Sequence, residues 1–307
     1  IYSKLTKFAV LAFLTMGLLG CNNNDDDGTD PVIETNTIAD FVASNDNYSS
    51  LAAALDAAGL TATLDGSANY TVFAPNNAAF SAFLAANNFD SLQDVPVDLL
   101  KQVLLNHVQT GEIRSQDLST GYITSMAKGP ASDANLSMYI SVGDAVMING
   151  VATVTTANIE ADNGIIHAVD SVIGLPDITT FATADPTFET LVAALTREDD
   201  YNFVEILQAT EDPAPFTVFA PTNDAFAALL TELDLTSLED ISSELLSSVL
   251  SYHVVTGANV RSGDLSDGMV VTTFETGDFT VNVGDDVTIT DERDRTANVI
   301  AVDVQAT

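Results

Sequence analysis

The sequence predicts two tandem α+β domains. Three observations carry this: a strand-turn-helix segment with a near copy far down the chain, the order of helical and strand patterns around it, and chain length. The segment is Thr71-Val72-Phe73-Ala74-Pro75-Asn76-Asn77-Ala78-Ala79-Phe80, and its copy is Thr217-Val218-Phe219-Ala220-Pro221-Thr222-Asn223-Asp224-Ala225-Phe226. Phe73 to Phe219 is a step of 146 residues, and the whole segment keeps it. Such a period is domain-sized and far too long for a solenoid unit, so each copy should bury its own core. With 307 residues, 46% of them hydrophobic, there is material for two cores.

Within each segment, Thr-Val-Phe is β-branched and aromatic, which suits a pleated, half-buried strand. Pro75 and Pro221 cannot continue a ladder, and they hold the preceding alanine extended. Asn76 and Thr222 can then cap a helix through a side-chain oxygen. Phe80, Phe83 and Leu84 recur at helical spacing, as do Phe226, Leu229 and Leu230. Upstream, Ile38 to Val42 begins a helix, and Tyr48, Leu51, Leu55 and Ala58 continue a stripe that Gly59 stops. Asp98 to His107 reads as a helix whose Leu99, Leu100, Val103, Leu104 and His107 share a face. Beyond Gly111 the pattern turns to strands, with Asn149-Gly150 as a hairpin turn after Val146-Met147-Ile148. The second copy carries extra residues between Arg197 and Pro215, then strands over Phe279 to Val283 and Val287 to Thr290.

A second shared block lies downstream in both copies, Val103-Leu104-Leu105-Asn106-His107-Val108 and Val249-Leu250-Ser251-Tyr252-His253-Val254, again 146 residues apart. The two blocks resemble the signature motifs of the fasciclin domain, a cell-surface adhesion module. The resemblance covers nearly all of residues 37–307, with copies at 37–175 and 177–307. It implies that each copy is a β-sandwich or wedge flanked by short helices. Carried over residue by residue, the motifs fall on Phe73, Pro75, Asn77, His107 and His167 in the first copy. In the second they fall on Phe219, Pro221, Asn223, Tyr252 and His253, and in both they are expected chiefly to hold the fold. The family's tyrosine-histidine pair, credited with integrin contact in animal members, is matched by Tyr252-His253, whereas the first copy has Asn106 before His107. Asn163 to Asp170 resembles the terminal strand of the family. Val304 to Thr307 aligns with Ile159 to Asp162, so the second copy is expected to continue with a strand such as Asn-Gly-Val-Ile-His. The chain, which begins at Ile1, is expected to be a fragment at both ends.

Residues 1–21 are not expected to be fold. Lys4 and Lys7 precede an apolar run from Phe8 to Leu19, too short to span roughly 30 Å of hydrocarbon but suited to a signal peptide. The run ends Leu18-Leu19-Gly20-Cys21, which resembles a bacterial lipobox with Cys21 as the acylated residue. A multi-chain acyl anchor is what stable attachment needs. Residues 22–36, with Asp25-Asp26-Asp27, read as a flexible acidic tether and resemble the surface-export signal of Bacteroidetes-type lipoproteins. The expected location is the outer membrane, facing the cell surface.

Nine basic against 44 acidic residues give a net charge of −35, which argues against nucleic-acid partners. The acidic runs Asp285-Asp286 and Asp291 to Asp294 lack the alternating ligands of a calcium loop, so only weak, non-specific calcium binding is expected. No nucleophile elbow, His-Glu-x-x-His helix or phosphate-cradling loop is present, and three scattered histidines lack zinc spacing. The expected function is therefore non-catalytic and cofactor-free: binding of matrix, polysaccharide or surface protein, with avidity from two copies. The competing reading is a polysaccharide-capture or envelope-internal binding lipoprotein serving nutrient uptake. The lack of tryptophan weighs against a sugar-stacking platform.

Overall fold

Each repeat opens on helices and closes on strands. The computed structural model describes residues 36–130, 132–198 and 201–307. The expected leader, Cys21 and the tether to residue 35 lie outside the described residues. The first repeat comprises α1 (Ile38–Ser44), α2 (Ser49–Ala57), α3 (Thr61–Leu64), β1 (Tyr70–Pro75), α4 (Asn77–Ala86), α5 (Val97–Leu105), β2 (Val108–Thr110), β3 (Gly121–Lys128), β4 (Asn135–Val142), β5 (Val146–Ile148), β6 (Ala152–Ala161) and β7 (Gly164–Val169). The second comprises α6 (Ile178–Ala184), α7 (Glu189–Leu195), α8 (Phe203–Leu207), β8 (Phe216–Val218), α9 (Asn223–Glu232), α10 (Ser243–Tyr252), β9 (Val254–Thr256), β10 (Met269–Thr272), β11 (Asp278–Val283), β12 (Val287–Asp291) and β13 (Thr296–Asn298).

The seven strands of the first repeat run β2-β1-β7-β6-β5-β4-β3. Only β1 and β7 pair in parallel, over six residues from Tyr70↔Gly164 to Pro75↔Val169. The long β6 serves two partners, β5 at its first residues and β7 along the rest, with two register shifts. Asn158, at φ +58°, sits at one of these bulges. A strand that bends and changes partner folds the sheet over, as bulges do, and the outer strands β2 and β3 come to lie close together. This folded sheet is the wedge. Side chains alternate across it. Val72 packs with Leu51, Leu100 and Ile166 on the helix side. Phe73 packs with Met138, Ile140, Ile148 and Val169 between the folded halves.

Local chemistry sets the helix starts. Asn76 Oδ1 accepts the Ala79 N–H at 2.9 Å, and Thr222 Oγ1 accepts the Ala225 N–H at 3.3 Å. Thr37 with Asp40 and Asp177 with Thr180 form capping boxes. Gly59, at φ +67°, ends the helical region as the spacing predicts. The α5 face needs a correction. Leu100, Val103 and Leu104 are buried, but Leu99 is exposed, since adjacent helical residues point about 100° apart. The helix also stops at Leu105, so His107 lies just past its end.

In the second repeat β8 pairs with β9, and β10 to β13 form a separate meander. Among the described residues β8 has no partner on its other edge, and its side chains are half-buried where those of β1 are buried. The extra residues lengthen the connections on either side of α8, which holds the place of α3 between the preceding helix and the central strand. The repeats meet at a seam. The Tyr122 hydroxyl donates to Asp185 at 3.0 Å, and Phe181 packs edge-on to the Tyr122 ring. The Ser137 N–H donates to the Gln305 carbonyl at 2.9 Å, and the Gln305 N–H donates to Ser137 Oγ at 3.0 Å.

Candidate functional site

The motif residues form a hub around β1 and its copy. Phe73 is fully buried in β1, and its N–H donates to the His107 carbonyl at 2.9 Å. Phe219 repeats this bond to the His253 carbonyl, also at 2.9 Å. Pro75 closes β1, which delivers the chain to α4.

Neighbours decide the state of each histidine. His107 Nδ1 lies 2.7 Å from the Val103 carbonyl, an acceptor only, so this nitrogen carries the proton. Nε2 then accepts the Ile173 N–H at 2.8 Å, from 66 residues away. Burial pushes the ring pKa down to about 4, against the opposing bond to Val103, so the ring is neutral near pH 7. His167 is the other tautomer. Its Nε2 donates to the Ile113 carbonyl at 2.9 Å, Nδ1 accepts the Asn158 N–H at 3.3 Å, and the ring stacks on Phe73 at 5.6 Å. Burial lowers its pKa too. His253 Nδ1 donates to the Val249 carbonyl at 2.7 Å, and burial again lowers its pKa. No carboxylate or hydroxyl shares these contacts. The rings tie backbone segments together.

The asparagines do comparable work. Asn77 Oδ1 accepts the Ser50 N–H at 2.9 Å, while Nδ2 donates to the Asp46 carbonyl at 2.8 Å and Ser49 Oγ at 3.0 Å. Asn223 accepts the Thr190 N–H at 2.8 Å and donates to the Pro186 carbonyl at 2.9 Å. Each clamps the helix after the central strand to the helix before it.

The Tyr252-His253 pair parts on leaving the backbone. The Tyr252 hydroxyl donates to the Asp278 carbonyl, and its ring lies against Gly277, where a Cβ would come within 2.8 Å of Cε2. In the first copy, Asn106 donates to the Gly174 carbonyl at 2.8 Å, while its buried Oδ1 has no partner among the described residues. Three further residues, Asn163, Asn158 and Asp303, tie the fold together outside the motif positions. Asn163 Oδ1 accepts the Ile38 N–H, and its Nδ2 donates to the Leu64 and Gly66 carbonyls. Asn158 Oδ1 accepts the Ser115 N–H at 2.8 Å, and Asp303, also at φ +58°, accepts the Ser262 N–H at 2.7 Å. Of the acidic runs, Asp291 is occupied by Arg295, at 2.6 Å from its guanidinium, and by two backbone N–H groups of its own turn. Among the described residues no helix is long and apolar enough to cross a membrane.

The Fasciclin domain family matches residues 46–176 and 186–307. Protein sll1483 of Synechocystis is 36% identical over 137 residues, covering 45% of this chain and 72% of that protein. Human periostin is 29% identical over 244 residues, and pig transforming growth factor-beta-induced protein ig-h3 is 29% identical over 143. The chain spans 27% of the former's length and 20% of the latter's. A solved domain pair from the insect cell adhesion molecule fasciclin I aligns over 83% of this chain and 88% of that one, at 20% identity and a TM-score of 0.46. With the matched segments covering most of its length, this chain belongs to the fasciclin family as two tandem copies.

Proposed function

We propose that this chain is a non-catalytic adhesion protein whose two fasciclin copies recognise matrix, polysaccharide or surface-protein ligands. The observation that carries this reading is the state of the motif residues. The histidines are neutral and bonded to backbone, and the asparagines clamp helices together. They hold a scaffold, which leaves ligand contact to the surface and loops around it. Family membership supports an extracellular binding role. In this reading residues 1–21 are a leader, Cys21 carries the acyl anchor, residues 22–36 are the tether, and 37–175 and 177–307 are the binding domains of an outward-facing outer-membrane lipoprotein.

Protease shaving of intact cells tests it, with Cys21→Ser as the control. Surface cleavage that disappears with the substitution supports an anchored adhesin, as does loss of attachment in a deletion strain. Protection of both copies in intact cells overturns the outward placement in favour of an envelope-internal binding role. The rival, polysaccharide capture for nutrient uptake, draws support from a solvent-open cleft on the first copy. It predicts that deletion impairs growth on a glycan while attachment is kept.

A further inference from the structure

Two solvent-open clefts, of about 530 and 310 Å³, adjoin on the first copy and share Ser81 and Leu84 of α4. Both fall within the roughly 300–1,000 Å³ range of ligand sites. Half-buried Leu84, Phe89 and Leu92 supply the apolar side chains, with Phe80 buried beneath them, while the larger cleft's surface is chiefly polar. The rim carries Ser49, Ser50, Ser81, Asn88, Asp90 and Gln93. Asn88, at φ +58°, turns the chain out of α4 so that Phe89 and Asp90 come round beside it. Much of the rim's hydrogen-bonding capacity is unspent. The Ser50 hydroxyl, the Asn88 and Gln93 amides and the Asp90 carboxylate take no side-chain hydrogen bond among the described residues, whereas Asn77 beside them uses both side-chain ends.

The second copy repeats the backbone but not the chemistry. α9 follows α4 at the same step of 146 residues, and Asp234, at φ +56°, repeats the turn of Asn88. Ser50 and Thr190 give the same N–H to Asn77 and Asn223, so Glu189 stands where Ser49 does. Likewise Asp234 replaces Asn88, Glu239 replaces Gln93, Ala227 replaces Ser81 and Leu235 replaces Phe89. A cation would prefer the second copy's carboxylates. An anion is repelled by both, on a chain of net charge −35. The first copy's cleft alone combines neutral amides and hydroxyls, which donate and accept, with one carboxylate acceptor and a phenyl ring.

We propose that this cleft binds a neutral oligosaccharide. Sugar hydroxyls both donate and accept, as the amides and serines do, and the C–H face of a pyranose suits the apolar side chains of Phe89 and Leu84. Phenylalanine supplies that face in a chain without tryptophan. An extended peptide fits less well, because α2, α4 and the loop to Gln93 line the cleft and offer no strand edge to pair with. The inference rests on the reading of this chain as an extracellular binding protein and names a ligand class for it.

The test is an array of neutral oligosaccharides probed with the full chain in detergent, followed by titration calorimetry on the best binder. Two groove variants are compared with a second-copy control. One is Phe89→Ala. The other grafts the second copy's acids as Ser49→Glu, Asn88→Asp and Gln93→Glu, all exposed positions that leave the core intact. The control is Leu235→Ala. Binding that weakens about tenfold or more in the graft and persists in the control supports the proposal. No neutral glycan bound, an unchanged graft, or competition by a peptide ligand for the same residues each overturns it. Cell attachment, measured in parallel, separates the two claims: attachment retained without glycan binding sinks the cleft and leaves the adhesin reading standing.

Discussion

The same three residues, Thr-Val-Phe, lie buried in β1 and half-buried in the second copy, where β8 ends at Val218 and Phe219 lies just past it. Their immediate context is shared, from the capped helix that follows to the phenylalanine N–H held by a histidine carbonyl. The difference is a neighbour. β1 lies between β2 and β7, whereas β8 pairs only with β9 among the described residues. Motif sequence therefore does not settle how buried a central strand is; the parallel partner does. Gly164 shows how close that partner comes, for at φ +149° a Cβ there would meet the Tyr70 carbonyl oxygen at 2.0 Å.

The largest test of this contrast truncates the equivalent phenylalanines. Phe73→Ala should cost about 3–5 kcal/mol, as for a fully buried aromatic, and Phe219→Ala clearly less. Denaturant unfolding of each variant reads both, and equal losses would break the comparison. Next is pH. The folded His107 titrates near 4, below the ordinary 6.5. Above pH 6.5 both states are neutral and stability is full. As pH falls towards 4 the unfolded chain takes up a proton that the folded one refuses, so on the order of 3 kcal/mol is lost across that window. A His107→Gln variant should show a shallower slope, with His167 and His253 supplying what remains, measured as unfolding free energy against pH.

A smaller effect sharpens the comparison from the other side. Fusing a second copy of residues 163–169 directly after Thr307 offers β8 the neighbour that β1 has. Amide exchange in β8 should slow about tenfold or more, equivalent to roughly 1.4 kcal/mol. Unchanged exchange would mean that something other than the partner strand buries β1. The smallest effect should be equal in both copies. Asn76→Ala and Thr222→Ala each remove one cap, worth about 1 kcal/mol by thermal or chemical unfolding.

What could be read from the sequence follows the range of the signal. Strand, proline and cap lie within ten residues of one another, and the Asn149-Gly150 turn is a dipeptide with both φ values positive. Such features depend on local sterics, and they were legible. The insertion of β7 between β1 and β6 was not, because no periodicity names a partner some ninety residues away. The histidines show the same divide. Their positions were evident, but the role of His107 depends on an N–H at Ile173 and that of His167 on a carbonyl at Ile113. Leu99 shows the opposite limit. An apolar residue beside a stripe reads as part of it, though the helix turns it towards solvent.

The placement of β7 has a mechanical consequence. The chain enters the first copy at Asn36, which exchanges hydrogen bonds with Asp162 beside the start of β7. It leaves beyond Val169, past Ile173, which His107 holds. A pull between these two ends thus runs along the strand. Its ladders to β1 and β6 are loaded in shear, all rungs together, rather than peeled one at a time. The rate of forced unfolding is then set by breaking the ladders as a group, a geometry in which the first copy resists tension best along the line through its own chain ends.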